Sequence, residues 1–279
     1  MDNMLFDLNN IRFEVSFKTF DELRSILSFC RKNNLYSINI PCKNNLKKDL
    51  LLDSIKIARD EFPNIDIIPH FSINNEFRRN NINTQNYFSK FIHVVKYLGC
   101  KQVLIVSGSQ KRSTLDSTKL LTFFKDNHLF YNNDFSLGVA FNPYLPSFMF
   151  EEEIIRLERK IKSGLVSSIW IQFGTNLQLL ESRLGILKNI ILLNSNSKML
   201  DIMLFGSVLI PSKQFLARFK YRPWKGVYCS SEFLESVEFA NKFVVKLLAT
   251  YKQYKIVPII ETKISTEDQL NSLIKLLTI

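Results

Sequence analysis

The stretch GCKQVLIVSGSQKRS, residues 99–113, contains the part of the sequence that decides the fold. Val103 to Val106 is an unbroken apolar run, whereas a strand with one face in water alternates apolar and polar residues. Such a run is typical of a parallel strand that is covered on both faces. The pattern Ser113-x-x-Asp116 follows directly and predicts a capped helix that extends to Lys125. A strand followed at once by a helix is the unit from which parallel sheets are built.

The same unit recurs on both sides of this stretch, because β-rich runs alternate with segments whose apolar residues have helical spacing. The predicted strands are residues 11–17, 36–41, 65–70, 103–106, 135–141, 167–173, 200–209 and 255–261. The predicted helices between and after them are residues 20–33, 46–61, 84–98, 113–125, 151–163, 177–193, 212–220 and 231–251, and a last one that begins at Ser265-x-x-Asp268. This makes about eight strand-then-helix units, with one extra helix before the last strand.

Such alternation requires a parallel sheet, because each right-handed crossover returns the chain to start the next strand in the same direction. Two sheet architectures are compatible with this alternation, a doubly wound sheet and a closed barrel. A doubly wound sheet usually has fewer strands, and no G-x-G-x-x-G follows the first strand to mark a dinucleotide site. Eight units in 279 residues favour an α/β fold of the (β/α)8 TIM barrel type, with residues 1–279 forming a single domain.

Composition limits the classes of function. The chain has 46% hydrophobic residues but only 8 Gly and 8 Pro, which is a globular and not a disordered composition. Its 37 Lys and Arg exceed its 26 Asp and Glu, giving a net charge of +11. These cations are spread along the chain in short groups, so a solvated surface explains them better than a nucleic-acid interface does. The positive field still favours anionic small ligands.

Location and metal content follow from what the sequence lacks. No apolar run reaches the roughly 18 residues that cross a bilayer, and the opening MDNMLFDLNN has no early basic cluster. We therefore expect a cytoplasmic protein without membrane contact. The 4 cysteines form no Cys-x-x-Cys pair, so neither a metal site nor a disulfide is expected. The sequence leaves open whether the chain forms a homo-oligomer.

Active sites of such barrels lie at the carboxyl ends of the strands. Three polar residues occur there on otherwise apolar strands: Glu14, His70 and Gln172. If Glu14 points into the barrel, burial favours its protonated form and suits it to act as a general acid; the alternative is an outward-facing or ion-paired glutamate. His70 is either a functional group or a hydrogen-bonded core residue. Gln172 suits recognition of a heterocycle edge, and satisfied polar packing is its alternative.

The loop after the fourth strand is a candidate phosphate site. Ser107, Gly108 and Ser109 are small residues that expose backbone N–H groups, and two cations follow at Lys111 and Arg112. The same composition also makes an ordinary turn, and no Walker-type ending specifies a nucleotide. Lys160, near the end of a predicted helix, is by default exposed to solvent.

The pieces FEVSF, INIP, IIPHFS, GCKQVLIVSGS, LGVAFNPYLP, RLERKIKSG and IWIQFG occur in this order through most of the chain. Together they resemble the methylenetetrahydrofolate reductase family. The resemblance implies a (β/α)8 barrel that binds FAD at the carboxyl ends of its strands. It also implies reduction of methylenetetrahydrofolate, a folate-type small molecule, with electrons from NADH or NADPH.

The resemblance assigns a role to individual residues of this sequence. It implies that Glu14 is the proton donor to the folate nitrogen, and that Gln172 contacts the pterin. His70 matches a histidine that contacts the flavin, and Asn39 stands where the family has a threonine that does so. Lys160 matches a lysine near the FAD phosphates.

Other positions depart from the family pattern. Phe17-Lys18 replaces a Pro-Pro after the glutamate, and the segment Ser107-Gly108-Ser109 replaces an Arg-Gly-Asp loop. Because an aspartate beside the flavin disfavours its anionic reduced form, Ser109 is expected to change redox potential and substrate affinity. Phe141 and Leu145 replace a Tyr and a His around the FAD, and Asn142 in an Asn-Pro turn offers a substitute polar contact.

Two hypotheses from different classes follow. The first is a divergent flavin-dependent reductase that transfers hydride by a ping-pong mechanism. The second is a non-catalytic barrel of the same family that serves as an interaction or assembly subunit, because fold does not determine function. Flavin colour, and its bleaching by NADH or NADPH, distinguishes them.

Overall fold

The sheet is a closed barrel. A computed structural model describes residues 5–42, 50–108, 114–127, 135–194 and 202–278, and within them eight parallel strands pair in chain order, with the last against the first. This confirms the (β/α)8 TIM barrel. The strands are β1 (Arg12–Glu14), β2 (Ser37–Ile40), β3 (Asp66–Ser72), β4 (Gln102–Val106), β5 (Ser136–Phe141), β6 (Val166–Ile171), β7 (Met203–Val208) and β8 (Ile256–Ile260).

The helices form the outer layer of the barrel. Each buries an apolar face, as α1 does with Leu23, Ile26, Leu27 and Cys30. Their bounds are α1 (Phe20–Lys32), α2 (Leu50–Glu61), α3 (Asn81–Tyr97), α4 (Ser117–Asp126), α5 (Ser147–Lys162), α6 (Leu177–Asn194), α7 (Lys213–Tyr221), α8 (Ser231–Glu235), α9 (Val237–Gln253) and α10 (Glu267–Leu277). The core between this layer and the strands is the larger of the two apolar clusters.

The connection between β7 and β8 has one helix more than predicted. The predicted single helix 231–251 is wrong, because Ser236 adopts an extended backbone and ends α8. Its side chain accepts a hydrogen bond from the N–H of Phe239 at 3.2 Å, so it caps a new helix, α9. Three helices, α7, α8 and α9, therefore lie between β7 and β8.

Two predicted helix starts are corrected. Asp116 is itself the cap of α4, with Oδ1 accepting from the N–H of Lys119 at 2.9 Å; Ser113 lies outside the described residues. The last helix is capped by Thr266 and not by Ser265. In both places the capping side chain lies directly before the first helical residue, which the four-residue pattern does not locate to one position.

The middle of the barrel is filled by a separate apolar cluster. Ile68, Leu104, Trp170, Phe205 and Ile259 are all at most 5% exposed there. The Trp170 ring packs on Phe205 with ring centroids 4.6 Å apart. Space for the indole comes from Gly138 on β5, where an added Cβ would lie 2.5 Å from the Trp170 Nε1. These side chains separate the two ends of the barrel.

Below this cluster, Arg12 connects three strands. Its Nη1 lies 2.6 Å from Oδ2 of Asp66, its Nε donates to Oδ1 of Asn39 at 2.8 Å, and its Nη2 donates to the carbonyl of Ile38 at 2.7 Å. Burial lowers the pKa of the Arg12 guanidinium, and the Asp66 carboxylate opposes that fall. The guanidinium therefore joins the amino-end halves of β1, β2 and β3.

Two observations apply to the described ranges only. No helix in them is long and apolar enough to cross a membrane. They also contain no group of three or more His, Cys, Asp and Glu side chains able to hold a metal ion.

Candidate functional site

Three of the predicted site residues meet at one end of the barrel. Alternate residues of a strand share a face, so Glu14 lies on the interior face with Arg12, and His70 lies on it with Ile68. Gln172 follows β6 and shares the interior face with Trp170 by the same count. All three side chains are half-buried. We call Glu14, His70 and Gln172 the carboxyl-end mouth.

Glu14 has a polar neighbour on its own chain segment and another at the end of β8. Ser16 Oγ donates to its Oε1 at 3.3 Å. On the β8 side, the pairing of Phe13 with Ile260 brings Glu14 next to Glu261. Glu261 in turn accepts a hydrogen bond from Ser207 Oγ on β7 at 2.5 Å. The mouth therefore has two carboxylates on neighbouring strands.

Glu261 received no role from the sequence. Its signal was weak but present, because it directly follows the apolar strand Ile256–Ile260, at the carboxyl end where barrel enzymes place functional groups. Only the closure of β8 against β1 reveals that it lies beside Glu14.

His70 and Gln172 present different chemistry to the mouth. The His70 ring stands edge-on to Trp170, with centroids 5.4 Å apart and an interplanar angle of 81°. Gln172 Oε1 accepts from the N–H of Phe173 at 3.0 Å. Its Nε2 donates to none of the described residues, so it is available to an acceptor on a ligand.

The start of the predicted phosphate loop is bound to the protein itself. Ser107 Oγ accepts from the N–H of Ser117, at the start of α4, at 3.2 Å. The Ser107 carbonyl accepts from Asn74 Nδ2 at 2.5 Å. Gly108 has a left-handed backbone with φ of 85°. Ser109 lies outside the described residues, as do Lys111 and Arg112.

Gly108→Ala is expected to lower the free energy of unfolding by about 2–3 kcal/mol, because a left-handed alanine is strained and the site is tight. An added Cβ would lie 2.6 Å from Ser72 Oγ and 3.2 Å from Asn74 Cβ. Urea unfolding measures the loss. The matched control is Gly164→Ala, where φ is 76° but no atom lies within 4 Å, so only the strain of about 1 kcal/mol remains. Equal losses in the two variants would show that the contact with Ser72 does not matter.

Three other candidates face away from the mouth or are engaged elsewhere. Asn39 is fully buried, and its Oδ1 is held by Arg12. Phe141 is also fully buried, in the core between strands and helices, where its ring centroid lies 6.1 Å from that of Phe150. Asn142 Nδ2 donates to the Gly226 carbonyl at 2.8 Å, and its Oδ1 accepts from the Tyr144 N–H at 3.0 Å. All three stabilise the protein's own structure.

Lys160 is not at the surface, so the expectation of solvent exposure is wrong. It is 5% exposed, and its Nζ donates to the carbonyl of Ala140 on β5 at 3.1 Å. Burial lowers the pKa of its ammonium, whereas the nearby Glu153 acts in the opposite direction. Helix α5 packs this face against the barrel, and a lysine near the end of a helix gives no sequence signal of that.

The closed barrel of eight strands, with polar side chains on its interior face at the carboxyl ends of the strands, defines the class: the chain is a (β/α)8 barrel protein. No model of a protein family matches the sequence, and no curated protein does. Among solved structures, the chain is similar to the catalytic domain of a hyperthermophilic chitinase from Pyrococcus furiosus, with a TM-score of 0.50 and 10% identity, over 90% of this chain and 83% of that one. It is also similar to a dihydropteroate synthase from Coxiella burnetii in complex with pteroic acid, with a TM-score of 0.47 and 14% identity, over 94% and 90% of the two chains. At these identities the likeness concerns the fold alone.

Proposed function

We propose that this chain is a divergent flavin-dependent oxidoreductase that resembles methylenetetrahydrofolate reductase and reduces a folate-type substrate. The observation that carries the proposal is that Glu14, His70 and Gln172 lie half-buried on the interior face of the barrel, towards the end where barrel enzymes bind their substrates. A carboxyl group, an imidazole and a side-chain amide at one end of the barrel suit a planar heterocycle with polar edges.

The chain fits one part of FAD and not another. The mouth suits an isoalloxazine ring, because His70 offers a ring and Gln172 an amide N–H that no described residue accepts. Lys160 does not fit a phosphate, since its ammonium is buried on the Ala140 carbonyl. Phosphate contacts at the end of β4 would instead involve the backbone at Gly108. When bound, FAD would accept hydride from NADH or NADPH and pass it to the folate.

The protein's own contribution is to hold the substrate and move one proton. Glu14 would deliver a proton to a ring nitrogen as the methylene carbon becomes electrophilic, and Ser16 Oγ, 3.3 Å from its Oε1, orients the carboxyl group. Gln172 would fix the heterocycle by an edge-on hydrogen bond. The apolar cluster beneath the mouth excludes water from below, since Trp170 is 5% exposed.

Purified protein mixed with FAD is expected to retain the flavin absorbance bands after gel filtration, and anaerobic NADH or NADPH is expected to bleach them. His70→Ala should weaken FAD binding about tenfold, which corresponds to about 1.4 kcal/mol and is within the range of one ring contact or hydrogen bond. His93→Ala is the matched control, because His93 is exposed on α3 and should leave binding unchanged. The affinity is read from the change in flavin fluorescence.

A second candidate, a non-catalytic barrel used for interaction or assembly, is favoured by Asn39, Phe141 and Lys160. Asn39 is held by Arg12 at 2.8 Å, and Phe141 lies in the core between the strands and the helices. Lys160 donates to the carbonyl of Ala140. A colourless protein that takes up no added FAD would support this candidate and reject the reductase.

A further inference from the structure

A second cavity opens at the amino ends of the strands, opposite to the carboxyl-end mouth. Its volume is about 600 Å³, and the first residues of seven of the eight strands line it, among them Arg12, Asp66 and Gln102. We call it the amino-end cavity. A cavity of this size is within the usual range of about 300–1,000 Å³ for small-molecule sites. Barrel enzymes do not use this end for catalysis, so the proposed reaction gives it no role.

The floor of the amino-end cavity is apolar. Ile68 and Phe205 reach it from the central cluster, and Val257 and Ile11 line it beside them. Phe205 is also the residue on which Trp170 packs. A ligand on this floor therefore lies one ring away from Trp170.

The wall and entrance of the amino-end cavity are strongly positive. Among the described residues that line it, four are cationic, Arg12, Lys101, Lys252 and Lys255, and one, Asp66, is a carboxylate. Asp66 is already engaged by Arg12 at 2.6 Å. Lys101 and Lys255 are exposed and form no ion pair with any residue in the described ranges. The described residues at the entrance therefore carry an excess of positive charge.

We propose that the amino-end cavity binds a small anion with an apolar, ring-sized body. The apolar body would lie on Ile68 and Phe205, where its burial is favourable. The carboxylate, sulfonate or phosphate of the ligand would lie between Lys101 and Lys255, which pair with no carboxylate in the part of the chain that the structure describes. Neither part alone fits, because a bare anion leaves the floor uncovered and a neutral apolar molecule leaves the cations without a partner.

Anilinonaphthalene sulfonate is the probe, because it joins an aromatic body to one sulfonate and fluoresces when it leaves water. We expect saturable binding, with quenching of Trp170 in a Trp224→Phe background that removes the other tryptophan. Lys101→Glu combined with Lys255→Asn should weaken the affinity about tenfold, as the loss of two charge contacts implies. Asparagine is chosen because Lys255 has a φ of 56°, which Asn tolerates.

The control variant, Lys90→Glu with Lys96→Gln, removes the same charge from the exposed face of α3 and should leave the affinity unchanged. A third variant, Ser136→Phe, fills the cavity and should abolish binding while keeping every lysine. Equal weakening by the control would show that only net charge matters. Binding that survives Ser136→Phe would place the dye on the surface and overturn the proposal. If Ser136→Phe does not fold, unchanged affinity in the Lys101 and Lys255 variant overturns it independently.

Discussion

Glu14→Gln is expected to lower the turnover of methylenetetrahydrofolate by about 10²–10⁴-fold, which is the usual contribution of a general acid. Glutamine keeps the size of the side chain and the hydrogen bond to Ser16, but it has no proton to give. Reduction of the flavin by NADH or NADPH needs no such proton and should continue at nearly the original rate. The two half-reactions are measured separately by stopped-flow absorbance.

The matched control for this prediction is Glu267→Gln, which removes a carboxylate from the exposed start of α10 and should alter neither half-reaction. Glu14→Gln alone should slow the folate half-reaction. Full folate turnover in that variant would remove Glu14 from the role, and attention would pass to Glu261 on the neighbouring strand. Loss of both half-reactions would indicate a damaged mouth instead of a missing acid.

Arg12→Met is expected to cost about 3 kcal/mol of folding free energy, because it removes the buried partner of a half-buried ion pair. Two further acceptors lose their donor at the same time: Oδ1 of the fully buried Asn39 and the carbonyl of Ile38. Asp66 is 46% exposed at its side chain and recovers part of its hydration, which keeps the cost at the lower end of the range. For a chain of this size the melting temperature should fall by roughly 6–12 °C.

Arg24→Met is the comparison for Arg12→Met. Arg24 also contacts a carboxylate, Glu61, at 2.9 Å, but both side chains are at least 40% exposed, so its loss should scarcely change the melting temperature. Circular dichroism during heating measures both variants. Similar melting temperatures for the two would contradict the view that the Arg12 contacts hold the first three strands together.

The strand order and barrel closure were predictable because parallel strands carry a plain signal. The apolar run Val103 to Val106 lies within β4, and eight such units leave few ways to bury both faces. The break at Ser236 was not predictable from periodicity, because α8 and α9 continue the same apolar spacing on either side of it. A serine there signals a cap only when its backbone is extended.

The site was predictable in part, because a polar residue at the end of an apolar strand stands out in the sequence. Glu14 and Gln172 are such residues. An apolar run does not reveal which of its residues face inward, so nothing in the sequence told that Phe141 faces the helices. The contact of Arg12 with Asp66 spans 54 residues and depends on the pairing of β1, β2 and β3, which local spacing cannot express.

The packed rings of Trp170 and Phe205 block the axis of the barrel, so the barrel is not an open tube. A ligand at one end would therefore be separated from a ligand at the other end by packed apolar side chains. Any influence of one on the other must be transmitted as a small displacement of packed rings.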